Sequence, residues 1–155
     1  MGQQKKEIIT DRSIQLKKII PQNQQTYSSD KMKAVWLFDE IDVNGDFAFD
    51  INNSNFRYKE FLSKMINYSN KTWDDIRKET HDKSNKSKHH YIGDCLSKEA
   101  QKRLKTLHKE EASDSIYSFA FSGKLRIVGI RENEKFHVLW YDFEHKVSLS
   151  TLKHT

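Results

Sequence analysis

A chain of 155 residues with 35% hydrophobic and 32% charged side chains has the length of one ordinary domain and lies on the polar side of globular, so a modest core with long polar connections is expected. Its net charge of +5 sits in one stretch: residues 71–109 hold 11 Lys and Arg against 6 Asp and Glu, while the rest of the chain balances at 16 of each. No apolar run approaches the roughly 20 residues needed to cross a bilayer, and the single cysteine, Cys95, excludes an internal disulfide and a thiolate metal cluster.

Residues 1–30, rich in Gln, Lys and Ser and carrying the only proline, Pro21, read as a flexible N-terminal arm with some helix over 8–20. The opening "MGQQKKEIITDRS" lacks the apolar stretch of a secretory signal, and Lys6 stands where N-myristoylation needs Ser or Thr, so a cytoplasmic protein with no membrane partner is expected. Residues 31–155 are expected to form a single α+β domain. "KAVWLFDEID" has the β-branched and aromatic character of a strand near 33–39, and the turn signal at Asn44 and Gly45 allows a short return strand at 46–49. Glu40, Asp42, Asn44 and Gly45 imitate the start of an EF-hand loop, but Ile51 stands where the bidentate Glu is required, so no calcium cage closes.

Ser54 is a candidate cap for a helix over 56–68, in which Tyr58, Phe61, Leu62, Met65 and Ile66 repeat at helical spacing. Thr72 with Asp75 predicts a capping box opening a second helix with Trp73 and Ile76 inward. The basic stretch "KSNKSKHHYIGD" then reads as a loop, and a third helix starting at Ser97 places Ala100, Leu104 and Leu107 on one stripe with Lys98, Lys102, Lys105 and Lys109 displayed elsewhere. After that the period changes to two: "SIYSFAF", "LRIVGIR" and "FHVLWYDFEH", joined by turns too short for parallel partners, predict an antiparallel meander. The expected fold is a small antiparallel sheet, made from the N-terminal strand and the meander, with two or three helices on one face. Alternation places Trp140 with Val138 and Phe136.

A concentrated positive segment that also holds His81, His89, His90 and His108 points to a polyanion such as nucleic acid, although a solvated helix face and loop explain the charge equally well. The residues expected to hold nucleic acid are Lys83, Lys86, Lys88, Tyr91, Lys98, Lys102 and Arg103. There is no Walker loop, dinucleotide fingerprint or G-x-S-x-G elbow, so neither a nucleotide nor any other cofactor is expected. Cys95, between Gly93 and Ser97 beside Ile92 and Leu96, reads as a small core residue rather than a nucleophile. A metal reading needs His137, Asp142 and His145, or His81 with His89 or His90; simple alternation separates His137 from Asp142, and no metal is assigned.

The element order, with "KLRIVGI" followed by "FHVLWYDFEH", resembles the RelE/ParE superfamily of small toxins, many of which cut messenger RNA on the ribosome. The match covers roughly the last third of the chain in sequence. Family members carry a basic residue in a central meander strand and a His or other polar residue after the last strand; Arg126 and His145 occupy those places, while Lys146 stands where the family often has Tyr, and typical members are shorter. The resemblance implies RNA or the ribosome as target, an antitoxin protein as partner, and metal-independent acid–base cleavage. Chemically, such cleavage needs a base, an acid and cations around the phosphate, for which Arg126, His145, His89, His90 and Lys88 are the candidates, with His137 nearby if the basic loop folds across the sheet. The rivals are an Arg126 paired with Asp142 or Glu144 in a structural role, and a non-catalytic module binding nucleic acid or an acidic protein through 83–109.

Overall fold

The computed structural model describes residues 28–81 and 83–149; the helix expected over 8–20 lies outside them. Five strands, β1 (Val35–Leu37), β2 (His90–Tyr91), β3 (Ile116–Ala120), β4 (Arg126–Glu132) and β5 (Lys135–Asp142), form one sheet in the order β1-β5-β4-β3-β2. Three α-helices accompany it: α1 (Tyr58–Ser69), α2 (Trp73–Arg77) and α3 (Lys98–Thr106). The α+β class is the one expected, and the β3–β4–β5 meander is antiparallel throughout. The turns are tight enough to force left-handed residues, Gly123 at φ +52° and Asn133 at φ +56°.

Two features of the expected sheet are corrected. β1 joins the edge of β5 in parallel, with Val35, Trp36 and Leu37 opposite Lys135, Phe136 and His137, so the sheet is mixed. The long connection through the helices leaves room for the chain to return in the same direction, and the other side of β5 is taken by β4. The basic stretch, read as a loop, ends in the short edge strand β2, with His90 opposite Ser118 and Tyr91 opposite Tyr117.

The helices also divide between two faces instead of sharing one. On the first face Tyr117, Phe119, Phe121, Leu125, Ile127, Phe136 and Val138 pack against Met65 and Tyr68 of α1 and Trp73 and Ile76 of α2. On the second, Ile116, Val128, Ile130, Leu139 and Trp140 pack against Ala100 and Leu104 of α3. Period-two alternation supplies both sets, because each meander strand is apolar in both directions. Within α1 the apolar positions also split: Phe61, Met65 and Tyr68 turn inward, while Tyr58, Leu62 and Ile66, spaced by four, form an exposed stripe.

The helix starts are local and legible. Thr72 Oγ1 accepts from Asp75 N–H at 3.2 Å, while Asp75 Oδ2 accepts from Thr72 N–H at 3.1 Å, completing the capping box. Ser97 accepts from Ala100 N–H at 3.2 Å. Ser54, by contrast, caps nothing: α1 begins after Arg57, without a side-chain cap. The expected return strand at 46–49 is a run of turns whose alternation nonetheless matters, since Phe47 enters the second core and Phe49 the first, wrapping the end of the sheet.

A bulge decides the rest. Val128 lies opposite Trp140 and Gly129 opposite Val138, so Leu139 is an extra residue in β5. Trp140 therefore turns to the second face, away from Phe136 and Val138, correcting the simple alternation. Asp142 arrives on that same second face, directly opposite Arg126.

Candidate functional site

The second face carries the candidate site at the end of the meander. Arg126, Val128 and Ile130 share it by alternation, and the register sets Asp142 beside Arg126. His90, opposite Ser118, points to the same side from the edge strand, whereas its neighbours His89 and Tyr91 point to the other. After β5 the chain turns around the Asp142 carboxylate, which accepts from Lys146 N–H at 2.8 Å and Val147 N–H at 2.9 Å. That turn holds His145 in a left-handed conformation, φ +59°, with Nε2 3.2 Å from Ser148 Oγ. Ser148 bridges to Leu96, and Ser97 N–H donates to Val147 O at 2.8 Å, tying the turn to the start of α3.

Four side chains from three separate stretches thus act on one another electrostatically. Partial desolvation and then the Arg126 charge lower the pKa of His90; burial and then Arg126 lower that of His145. Burial pulls the Arg126 guanidinium below its ordinary value, partly offset by Asp142, and burial raises the Asp142 carboxyl against the pull of its two backbone N–H donors. The rival pairing of Arg126 with Asp142 or Glu144 is not formed, although Asp142 lies opposite it in the register. Among the described residues Arg126 makes no ion pair, and its Nη1 donates to Gly123 O at 2.9 Å and Leu125 O at 3.0 Å. A half-buried cation acting on two imidazoles whose pKa values are lowered can hold a phosphate and favour proton transfer near it.

His145 and Asp142 border a cleft of about 940 Å³ shared with Phe47, Asn55, Phe56 and Ser148. His90 borders a separate depression of about 520 Å³ with Tyr91, Tyr117, Arg77 and Arg131. Arg126 lines neither.

His89 is removed from the catalytic set. Its ring is fully buried on the first face, Nδ1 accepts from Ala120 N–H at 3.0 Å, and Nε2 lies 2.8 Å from Glu79 Oε2 and 3.3 Å from Tyr68 Oη. Because a backbone N–H occupies Nδ1, the proton must sit on Nε2 and point at Glu79, which also pairs with Lys71. Burial lowers the pKa of His89 more than Glu79 raises it. Its folded value is below the unfolded one of about 6.5, so its contribution to stability is present above that pH and is lost as pH falls. His90 and His145 shift in the same sense, while Asp142, raised by burial, acts in the opposite one. The urea midpoint is expected to drop on going from about pH 7 to about pH 5, and to drop less in His89→Gln; identical slopes for both proteins would contradict a buried neutral His89.

Arg103 is likewise removed from the nucleic-acid set. Its Nε and Nη2 grip Asp42 Oδ2 and Oδ1 at 2.8 and 2.7 Å, and Trp140 Nε1 donates to the same carboxylate at 2.9 Å. Burial alone would raise the Asp42 carboxyl, but these donors hold it below the usual range. Lys83, Lys86, Lys98 and Lys102 are exposed and Lys88 is half-buried. Tyr91 is half exposed against the edge of Tyr117, on the face opposite to His90, so the expected two-sided grip around one phosphate does not include it. Cys95 is half-buried with its thiol pushed up by burial, as befits a packing residue.

His137 does not join the Arg126 group either. It faces Asp39 and Glu132 instead, so the His137, Asp142 and His145 metal set is not assembled, although the bulge does put His137 and Asp142 on one face. Asp39 carried no role in the sequence reading, Glu40 entered only the rejected EF-hand comparison, and Asp142 only the metal set and the pairing with Arg126. The clue for Asp142 was its register opposite Arg126; for Asp39 and Glu40 none was available without the direction of β1.

No family model, no curated protein and no solved structure matches the chain.

Proposed function

We propose that the chain is a RelE-like endoribonuclease that cuts single-stranded RNA without a metal at the His90–Arg126–His145 group. The observation that carries this reading is that the register sets Arg126 on the same sheet face as His90, that its charge acts on both His90 and His145, and that it makes no ion pair among the described residues. Arg126 holds the scissile phosphate and gathers charge as it builds on the non-bridging oxygens. One neutral imidazole takes the 2′-hydroxyl proton while the 2′-oxygen forms its bond to phosphorus; the other, protonated, gives its proton to the departing 5′-oxygen as that P–O bond breaks. The products are a 2′,3′-cyclic phosphate and a free 5′-hydroxyl, with one proton moved from acid to base. The cleft beside His145 has the size of a nucleotide site. An antitoxin partner would act by covering this face.

With both histidines shifted below about 6.5, the protonated acid becomes scarce as pH rises, so kcat/KM should peak on the acid side of neutrality. The test is the full chain with end-labelled single-stranded RNA in chelator, from about pH 5 to about pH 8. Expected are cyclic-phosphate ends, an acid optimum, and no cut where the scissile ribose carries 2′-O-methyl. RNA left whole at every pH, or activity unchanged in His145→Ala, overturns the assignment.

The exposed Lys83, Lys86, Lys98 and Lys102, which make no ion pair among the described residues, favour one alternative, a non-catalytic module for nucleic acid or an acidic protein. It predicts intact RNA and an affinity falling steeply with salt.

A further inference from the structure

Parallel pairing of β1 with β5 carries the end of β1 past His137, bringing Asp39 and Glu40 to it. One donor atom from each of the three side chains lies within 4.8 Å of the other two. In a single coordination sphere, donors about 2.0–2.2 Å from an ion stand up to roughly 4.4 Å apart, so only small side-chain movements separate this arrangement from a closed site. The imidazole is held in place. Its side chain is only 12% exposed, Nδ1 lies 2.9 Å from Asp39 Oδ1, and Nε2 lies 3.6 Å from Glu132 Oε2. An ion taking Nδ1 leaves the Nε2 proton directed at Glu132, the outer carboxylate arrangement that orients and strengthens a ligating histidine. Lys109 Nζ pairs with Glu40, and its charge also acts on Asp39, so a cation is already attracted to this position.

We propose that Asp39, Glu40 and His137 bind one divalent transition-metal ion, with Glu132 as the outer partner of the imidazole and Lys109 as an internal competitor. One nitrogen and two carboxylate oxygens favour zinc or manganese over calcium, which takes six to eight oxygens. Three protein ligands leave further positions for water or a small anion. The site lies five residues along β5 from Asp142, roughly 16 Å at about 3.3 Å per residue, so it stands apart from the RNA chemistry and does not depend on that reading.

The test uses the full chain freed of metal by chelator and titrated with zinc chloride alone, then with manganese chloride alone. Expected are one saturable ion per chain, at least tenfold weaker binding in Asp39→Asn, and tighter binding in Lys109→Met, where the competing ammonium is gone. Asp39 is exposed, so its substitution leaves the fold intact. Manganese should broaden the amide resonances of residues 37–40 and 137 while sparing those of His90 and His145. Absence of saturable uptake, affinity indifferent to Asp39→Asn, weaker binding in Lys109→Met, or broadening centred on His90 and His145 would each overturn the site.

Discussion

Arg126→Ala is expected to reduce RNA cleavage about 10²- to 10³-fold, roughly 3–4 kcal/mol of transition-state stabilisation, while the melting temperature changes little. The Arg126 charge acts on both His90 and His145, and in the proposed reaction charge grows on the phosphate oxygens as the 2′-oxygen attacks. Burial lowers both imidazoles most and the Arg126 charge adds to it, so removing that charge should move the acid limb of the pH profile toward higher pH in the variant. The fold should tolerate the change, because the arginine's own hydrogen bonds go to two turn carbonyls, those of Gly123 and Leu125, and to no carboxylate. Arg126→Lys should recover part of the rate, since an ammonium supplies the charge but not the planar fork. Single-turnover rates beside thermal melts separate the outcomes: a loss below tenfold, or a pH profile that does not move, removes Arg126 from the chemistry.

Gly129→Ala is expected to destabilise the protein by about 3 kcal/mol or more, or to prevent its accumulation as folded chain. A Cβ at this position would stand 2.1 Å from the carbonyl oxygen of His137 and 2.8 Å from Cζ of Phe136. The obstacle is neighbouring backbone at the bulge, which cannot rotate away as a side-chain tip can. Gly123→Ala is the informative contrast, for there the space is open and only the φ of +52° opposes a side chain, at a cost of about 1 kcal/mol. Denaturant midpoints that rank these two the other way round would refute the bulge argument. The same bulge sets Asp142 opposite Arg126, so a Gly129→Ala chain that did fold should show altered activity as well.

How far the sequence could be read follows from distance along the chain. The capping box of Thr72 and Asp75, the Ser97 cap and the two-residue period of the meander strands up to Val138 are decided among neighbours a few positions apart, and they appear as expected. Arg126 and His145 were marked by the resemblance to the RelE/ParE superfamily, in which a basic residue lies in a central meander strand and a polar one follows the last. His89 and His90 could not be told apart, because only the pairing of β2 with β3 sends one ring into the core and the other to the face of Arg126. Arg103 looked like one more basic residue of an exposed helix face until the fold brought Asp42, 61 positions away, against it.

Local composition by itself determined the kind and order of the elements apart from β2 and the 46–49 segment, and the concentration of positive charge in the middle of the chain, since each follows from side-chain shape, periodicity and capping within a few residues. Tertiary structure alone decided the direction of β1, the division of helices between two faces, and the extra residue at Leu139. Those choices are set by which apolar surfaces can be buried together, a property of the whole sheet, and they place Asp142 beside Arg126 and Asp39 with Glu40 beside His137.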